Sequence, residues 1–321
     1  MDAVHLMESN MVSMIFAVLG FTFGRLGVPM FLFLTGYLLL ARNYDDNDCK
    51  KFWKKNWLGM LITTEVWIVI YDVFLRVIHA QSWHTMGTIK DMLFMTQVHM
   101  GHMWYMPMII GIYVCIPFIS NALHAIRAKT LQFPVLVLSF YAFGIPVWQV
   151  VNKAMNFTDI TSVLDFGFSG GVYGLYIILG FLLNKGILKK ITTKCLVSAT
   201  GFFYVLTVFL QIFSYSAGIT YNVWYNCGLL LLCCLCLFEL FSRFNCFYGQ
   251  KAWTWISKNS FGMYLVHFPM IILLKEPLKN LPCAMPFKVL MMWVFVLGIS
   301  IVICRGINYF PKLSRIVLYS R

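Results

Sequence analysis

Two side chains in the last fifth of the chain are of types that move protons. His267 lies inside an apolar run, nine residues or ~13 Å at helical rise beyond Lys258. Tyr264 precedes it by three residues and shares its helical face. Ionisable groups at membrane depth are costly, so each is a candidate functional group. An imidazole beside a phenol suits proton transfer or the binding of a polar substrate. The alternative is a structural histidine bonded to a neighbouring helix.

A second candidate group is Arg25, which opens an apolar segment that ends in Thr35, Gly36 and Tyr37. A guanidinium at the membrane face can bind an anionic or sugar substrate, or it can reach the lipid headgroups. Gly36 permits close helix approach and Thr35 can bond a carbonyl, so packing alone would also explain the end of this segment.

A third cluster, in the run QVHMGHMWYMP, contains His99, His102, Trp104 and Tyr105. Two histidines three residues apart can share a metal, but no carboxylate or thiolate stands beside them. The ten cysteines show no CxxC or Cys/His spacing either. We therefore expect no metal and no bound cofactor. Histidine with aromatic residues at a membrane surface is also typical of an interfacial anchor.

The elements that position these groups are predicted to be transmembrane helices. Of the 321 residues, 60% are hydrophobic and 12% charged, with a mean hydropathy of +0.77. The charged fraction is about half that of a soluble domain, which excludes an ordinary soluble protein. Apolar runs of membrane-spanning length predict nine complete spans at about 22–41, 57–78, 103–123, 131–151, 169–183, 195–215, 222–242, 260–275 and 288–304. The predicted fold is an all-α polytopic integral membrane bundle that forms one domain over residues 1–321. Carboxylates within or near the ends of these spans can partner a histidine or an arginine: Glu65, Asp72 and Glu239.

The net charge of +13 indicates topology and not binding to nucleic acid. Eighteen Lys and Arg residues lie in one alternating set of connecting segments and six in the other. The positive-inside rule then predicts a cytoplasmic C-terminus and an outside Met1. The opening run MDAVHLMES is interpreted as the outer end of a partial first helix in a chain truncated at its N-terminus. The alternative is a nine-span protein with a translocated N-terminal tail.

Three ordered segments resemble motifs of the membrane acyltransferase family 3. GRLGVPMFLFLTGYLLL is similar to that family's R-x-x-VP-x-FF-x-x-SGYL span. GHMWYMPMIIGIYVCIPFI is similar to its HLWFL…IY…P span, and SKNSFGMYLVHFPMI to its S-x-x-S-x-G-I-Y-x-x-H span. Order and spacing fit over essentially the whole chain. Within the family, the chain looks most like the branch that holds the enterobacterial common antigen O-acetyltransferase.

The resemblance implies a bacterial cytoplasmic-membrane enzyme that moves an acyl group, usually acetyl, from acyl-CoA to a hydroxyl of an envelope glycan. Acyl-CoA is then the donor substrate, and the partners are the lipid bilayer and the glycan. AVHL places His5 on the family's favoured catalytic histidine. The other residues that fall on motif positions are Arg25, Thr35, Tyr37, His102, Trp104, Tyr264 and His267.

Two departures from the family pattern concern cationic residues. The arginine that precedes the first-span histidine has no counterpart here. The R-x-x-R that begins the third span in many members reads Asn56 to Gly59, with Lys54 and Lys55 just upstream. Lysines can serve phosphates as point charges, although they lack the bidentate fork of arginine, so these two are the expected contacts to CoA. The rival interpretations are a transporter or flippase of a lipid-linked sugar and a non-catalytic relative.

Overall fold

The computed structural model of the protein describes residues 11–79, 85–96, 101–157, 167, 171–244 and 248–319, and these residues are mostly helical. The α-helices in chain order are α1 Met11–Arg25, α2 Gly27–Leu39, α3 Asp46–Phe52, α4 Leu58–His79, α5 Thr85–Met92, α6 Tyr105–His124, α7 Ala128–Ser139, α8 Ile145–Ala154, α9 Gly171–Asn184, α10 Thr193–Ser216, α11 Gly228–Ser242, α12 Gln250–Lys279, α13 Met285–Asn308 and α14 Pro311–Val317. A 3-10 turn at Gly101–Trp104 leads into α6. Two π-helical segments, Trp53–Trp57 and Phe140–Gly144, join α3 to α4 and α7 to α8.

Hydropathy identified the apolar helices of the described residues. Seven continuous helical stretches among the described residues are long and apolar enough to cross a membrane: Ser13–Leu39, Asp46–Ile78, Gly101–His124, Ala128–Ala154, Thr193–Ser216, Gln250–Lys279 and Met285–Asn308. The shorter helices α9 and α11 are also apolar. Each of the nine predicted runs overlaps one of these helices, although residues 222–227 of the run 222–242 precede α11 and are not helical. The prediction of an all-α polytopic membrane bundle is confirmed, and the chain is a multi-pass membrane protein. That it forms one domain stays a prediction.

The first helical stretch begins earlier than predicted. The expected span of 22–41 is instead α1 followed by α2, from residue 11 to Leu39. Residues 11–21 are almost wholly apolar and continue the helix. The break at Leu26 has a local cause, because Pro29 has no N–H to donate to the carbonyl of Arg25. Leu26 N bonds the Phe23 carbonyl at 3.1 Å, and the helix continues from Gly27.

The second stretch also begins earlier than the expected 57–78. Asp45 caps α3 with its side chain, which accepts a hydrogen bond from Asp48 N at 2.7 Å. Such a cap satisfies one of the free N–H groups of the first turn, and the acidic residues there suit the positive end of the helix dipole. The helix therefore starts at Asp46. As a result Lys54 and Lys55 lie on a helical segment and not in a connecting loop.

One compact unit comprises Met1–Tyr44 and Ile116–Asn245. Its closest helix contact is between α2 and α9. A Cβ added at Gly36 would lie 1.9 Å from the Ile177 carbonyl oxygen, and one at Gly180 would lie 2.3 Å from the carbonyl oxygen of Phe33. The two backbones therefore touch at these glycines, which have no side chain to separate them, as in many membrane helix pairs. The fully buried ring of Phe33 meets Tyr176 edge-on, with centroids 5.3 Å apart.

The second compact unit comprises Asp45–Cys115 and Cys246–Arg321. Its long helices α12 and α13 run antiparallel, and Asn308 donates a hydrogen bond to Asn259 at 2.7 Å across them. The end of α14 packs on α4, where Trp67 Nε1 donates to the Val317 carbonyl at 2.7 Å. Leu318 is buried against the position of Gly262 on α12.

Candidate active site

The His102 ring is the centre of an aromatic cluster in the second unit. It stacks on Phe268, with centroids 4.3 Å apart and planes 15° from parallel. Three more rings meet it edge-on: Tyr71 at 5.4 Å, Tyr264 at 5.5 Å and His267 at 5.3 Å. The 3-10 turn before α6 carries His102, α4 carries Tyr71, and α12 carries the other three. The structure thus brings together three residues that the sequence had singled out, His102, Tyr264 and His267.

A proline in α12 explains how Tyr71 joins this cluster. Pro269 has no N–H, so the carbonyl of Leu265, four residues earlier, loses its helical donor. The Tyr71 hydroxyl donates to that carbonyl instead. Buried carbonyls rarely stay unpaired, and the phenol here replaces the missing backbone bond. Tyr71 is fully buried, so this hydrogen bond links α4 to α12 at the depth of the histidines.

The same bond determines the tautomer of neutral His102. A phenol has one proton, and that of Tyr71 is donated to a carbonyl, which cannot donate in return. The contact of 3.1 Å between Tyr71 Oη and His102 Nε2 must therefore run from Nε2–H to the phenol oxygen. Nδ1 is then the unprotonated nitrogen. It is buried and has no hydrogen-bond partner among the described residues.

His267 is oriented by its own helix. Its Nδ1 lies in hydrogen-bond contact with the Tyr264 carbonyl, and because a carbonyl only accepts, Nδ1 carries the proton. Nε2 is then unprotonated in the neutral ring, the usual result when a backbone carbonyl fixes one nitrogen. The Tyr264 hydroxyl donates to the His102 carbonyl at 2.5 Å. The hydrogen bond of His267 runs within its own helix, not to a neighbour as the structural alternative required.

An apolar cavity of about 330 Å³ lies beside His267, between α12 and α13. His267 and Ser300 are its only polar lining residues among Met263, His267, Ile271, Met292, Trp293, Val296, Leu297 and Ser300. A base with an unprotonated nitrogen therefore borders a space that a substrate could enter.

Arg25 occupies a different environment, in the first unit. Its guanidinium lies over the rings of Phe21, Trp224 and Tyr225, at 4.6, 4.2 and 5.3 Å from their centroids. Arg25 also donates to the Tyr225 hydroxyl at 3.1 Å. Its Nε is buried and has no hydrogen-bond partner within the part of the chain described. Aromatic faces therefore hold the cation in place.

Other residues singled out from the sequence are packed, exposed or outside the described ranges. The Tyr37 carbonyl accepts a hydrogen bond from Asn184 at 3.1 Å, and its ring lies 5.5 Å from that of Phe238. Thr35 donates to the Phe31 carbonyl of its own helix, so the packing interpretation describes this segment. Trp104 meets Tyr105 edge-on at 6.0 Å. Lys54 and Lys55 are exposed. His5 and His99 lie outside the described residues.

Two of the three carboxylates are in ion pairs with arginines one turn later. Asp72 accepts from Arg76 Nε at 2.8 Å and from Thr88 at 2.8 Å. Glu239 accepts from Arg243 at 2.9 Å. Glu65 has one buried oxygen, Oε2, without a partner in the described ranges.

The sequence analysis missed Tyr71, Phe268 and Ser300. A signal existed for Tyr71 and Ser300, since each is a hydroxyl in the middle of an apolar run. Phe268 gives no such signal among 29 phenylalanines.

Comparison with known families gives one match. The acyltransferase 3 family model, described as an acyltransferase domain, matches residues 3–308. No curated protein and no solved structure matches the chain significantly.

Proposed function

This chain belongs to the acyltransferase 3 family and is an acyltransferase, and we propose that it transfers an acyl group from acyl-CoA to a hydroxyl of an envelope or lipid-linked glycan. The family resemblance supports acetyl as the acyl group that is transferred. The motifs support the branch that holds the enterobacterial common antigen O-acetyltransferase. We place the enzyme in the bacterial cytoplasmic membrane with its C-terminus in the cytoplasm, which the distribution of basic residues supports.

The observation that carries the reaction is the pair of fixed imidazoles. His267 Nε2, unprotonated and beside a cavity, takes the proton of the acceptor hydroxyl while that oxygen bonds to the acyl carbon. The C–S bond of the thioester breaks, and the proton passes to the sulfur, which leaves as the CoA thiol. His102 Nδ1 accepts a hydrogen bond from the substrate. The resemblance assigns the favoured catalytic role to His5, which the described residues do not include, so the base proposed from geometry is His267.

Apolar surroundings suit this chemistry because they exclude water, which would otherwise hydrolyse the thioester. The rings of Phe268 and Tyr264 cover His102, and apolar side chains line most of the cavity.

Arg25 and Trp224 are proposed to bind the glycan. Trp224 is 42% exposed and offers an apolar face, and an arginine donates well to oxygen acceptors. The Arg25 Nε–H has no acceptor among the described residues, which supports binding of a ligand by Arg25 over simple contact with the lipid headgroups.

Lys54 and Lys55 are proposed to bind the CoA phosphates. Both project from the π-helical segment Trp53–Trp57, and π-bulges are frequent at functional sites. Lys50 and Lys51 are also exposed on the preceding turn of helix, which concentrates positive charge at this end.

The test is acyl transfer by the purified chain in nanodiscs, with radiolabelled acetyl-CoA and an enterobacterial envelope glycan extract. His267→Gln should lower the rate by about 10²–10⁴-fold, the usual contribution of a general base. The matched control is His124→Gln, because His124 also bonds a carbonyl of its own helix, that of Ser120 at 2.9 Å. Equal rates in His267→Gln and the wild type would contradict the assignment. Glycan crossing the bilayer of sealed proteoliposomes without label would favour a transporter.

A further inference from the structure

The cavity beside His267 follows one face of each of two antiparallel helices. On α12 its lining residues are four apart, as are three of those on α13; residues at this spacing share one side of a helix. They are Met263, His267 and Ile271 on α12, and Met292, Val296 and Ser300 on α13. The cavity is therefore a groove along the seam between the helices.

The register of the pair places Ser300 level with His267. Asn308 bonds Asn259 at 2.7 Å, and a Cβ at Gly262 would lie 3.4 Å from Cys304 Sγ. Because the helices run in opposite directions, four residues back along α13 correspond to four residues onward along α12. Ser300 is thus within about one residue, or ~1.5 Å along the axis, of the level of His267.

The Ser300 hydroxyl is an unused donor. Ser300 is 1% exposed, and its Oγ has no hydrogen-bond partner in the described part of the chain. Buried hydroxyls on two other helices donate to a carbonyl one turn earlier: Thr64 of α4 to Met60 at 2.9 Å and Ser214 of α10 to Leu210 at 2.7 Å. A buried donor without an acceptor is costly, so a ligand that supplies an acceptor here is favoured.

The rest of the groove is apolar and open on one side. Trp293 and Leu297, on its rim, are 49% and 54% exposed, on helices that cross the membrane. The groove therefore suits a hydrocarbon chain whose single polar group, a carbonyl, lies between Ser300 and His267.

We infer that this groove holds the acyl chain of the donor and that the enzyme accepts acyl groups longer than acetyl. The inference rests on the proposed acyl transfer. In it, Ser300 donates to the carbonyl oxygen of the thioester, and His267 Nε2 faces the incoming hydroxyl at the same level. The chain then extends along the seam towards Met292.

The length of the groove sets the expected chain length. From Ser300 to Met292 is eight residues, or ~12 Å along α13. A fully extended polypeptide has three backbone bonds per residue and covers at most ~3.6 Å per residue. A hydrocarbon chain extended to the same degree therefore covers ~1.2 Å per bond. About ten bonds fit, so an octanoyl group is accommodated together with its carbonyl.

The experiment compares acetyl-CoA with octanoyl-CoA as donors to the same glycan extract. The wild type should use both. Val296→Trp should fill the groove and lower octanoyl transfer at least about tenfold relative to acetyl transfer, since even one misplaced methylene costs about that in a tight pocket. The control is Val294→Trp, the same change on the same helix at a side chain that is 62% exposed and does not line the groove.

A bulky residue at a buried position can also disturb folding, so Met292→Trp at the far end serves as a second filling variant. It should lower octanoyl transfer by a larger factor than acetyl transfer, both measured on the same preparation, whereas misfolding would lower both equally. Ser300→Ala should lower transfer of both groups, because both have the carbonyl.

The outcomes separate this inference from the proposed function. Transfer of acetyl but not octanoyl by the wild type would overturn the inference alone. Equal use of both donors in the wild type and in both filling variants would also overturn it. No transfer from any acyl-CoA would overturn the proposed function and this inference with it.

Discussion

Gly36→Ala should break the closest helix contact in the first unit. The added Cβ would lie 1.9 Å from the carbonyl oxygen of Ile177 and 2.7 Å from its carbonyl carbon. Real Cβ atoms do not approach other atoms closer than about 3.0 Å. Since the obstacle is backbone and cannot rotate away, α2 and α9 must move apart by at least about 1 Å there.

The cost of that movement can be estimated from its parts. Overpacking a well-packed interior costs about 1–3 kcal/mol, and a backbone obstacle places Gly36→Ala near the upper end. Replacing glycine by alanine within a helix returns up to about 1 kcal/mol in helix propensity. The net loss is about 2 kcal/mol. At roughly 2–4 °C per kcal/mol for a unit of this size, the melting temperature should fall by about 4–8 °C.

The assay is thermal unfolding of the purified protein in detergent, with Gly20→Ala as the matched control. Gly20 lies in α1 and has nothing within 4 Å of an added Cβ, so the control should be neutral or slightly stabilised. The double variant Gly36→Ala/Gly180→Ala should lose less than the sum of the single changes, because both act on one contact. A melting temperature for Gly36→Ala equal to that of Gly20→Ala would refute the reasoning.

Two further predictions concern the second unit. Tyr71→Phe leaves the Leu265 carbonyl buried without a donor, so the free energy of unfolding should fall by about 1–3 kcal/mol. Tyr215→Phe, at an exposed tyrosine, is the control in the same thermal assay. An unchanged melting temperature in Tyr71→Phe would count against the hydrogen bond. Lys54→Ala/Lys55→Ala should weaken acyl-CoA binding, and more so at low salt, where screening is least. Lys190→Ala/Lys194→Ala removes two other exposed lysines as the control, and equal affinities measured by calorimetry would mean that Lys54 and Lys55 only set topology.

Hydropathy predicted the apolar helices but not where they begin. The start of α3 at Asp46 depends on a side-chain cap by Asp45, in a polar stretch that hydropathy assigns to a loop. The helical residues 11–21 were missed for another reason. Residues 11–21 were apolar enough, but the predicted span was centred on the segment after Arg25 and left them out.

The histidine cluster shows what sequence patterns leave undetermined. Helical periodicity placed Tyr264 and His267 on one face, and their rings lie 5.7 Å apart. Periodicity could not predict which side chains pack against that face. Tyr71 lies 194 residues before Leu265, to which it donates, and 31 before His102. Pro269 does predict a carbonyl without a helical donor, but only packing decides which hydroxyl fills the gap.

The carboxylates bear on how the proposed base works. Asp72 and Glu239 each pair with an arginine four residues later, a spacing at which helical side chains meet. Within the described ranges, neither His102 nor His267 contacts a carboxylate; the groups that orient them are a phenol and a backbone carbonyl. A carbonyl fixes the tautomer of His267 as a carboxylate would, but it brings no full negative charge to stabilise an imidazolium. The proton taken from the acceptor hydroxyl should therefore stay on His267 only briefly and pass to the departing sulfur as the C–S bond breaks. This favours a mechanism in which proton transfer and acyl transfer to the hydroxyl are tightly coupled, over one that stores charge on the histidine.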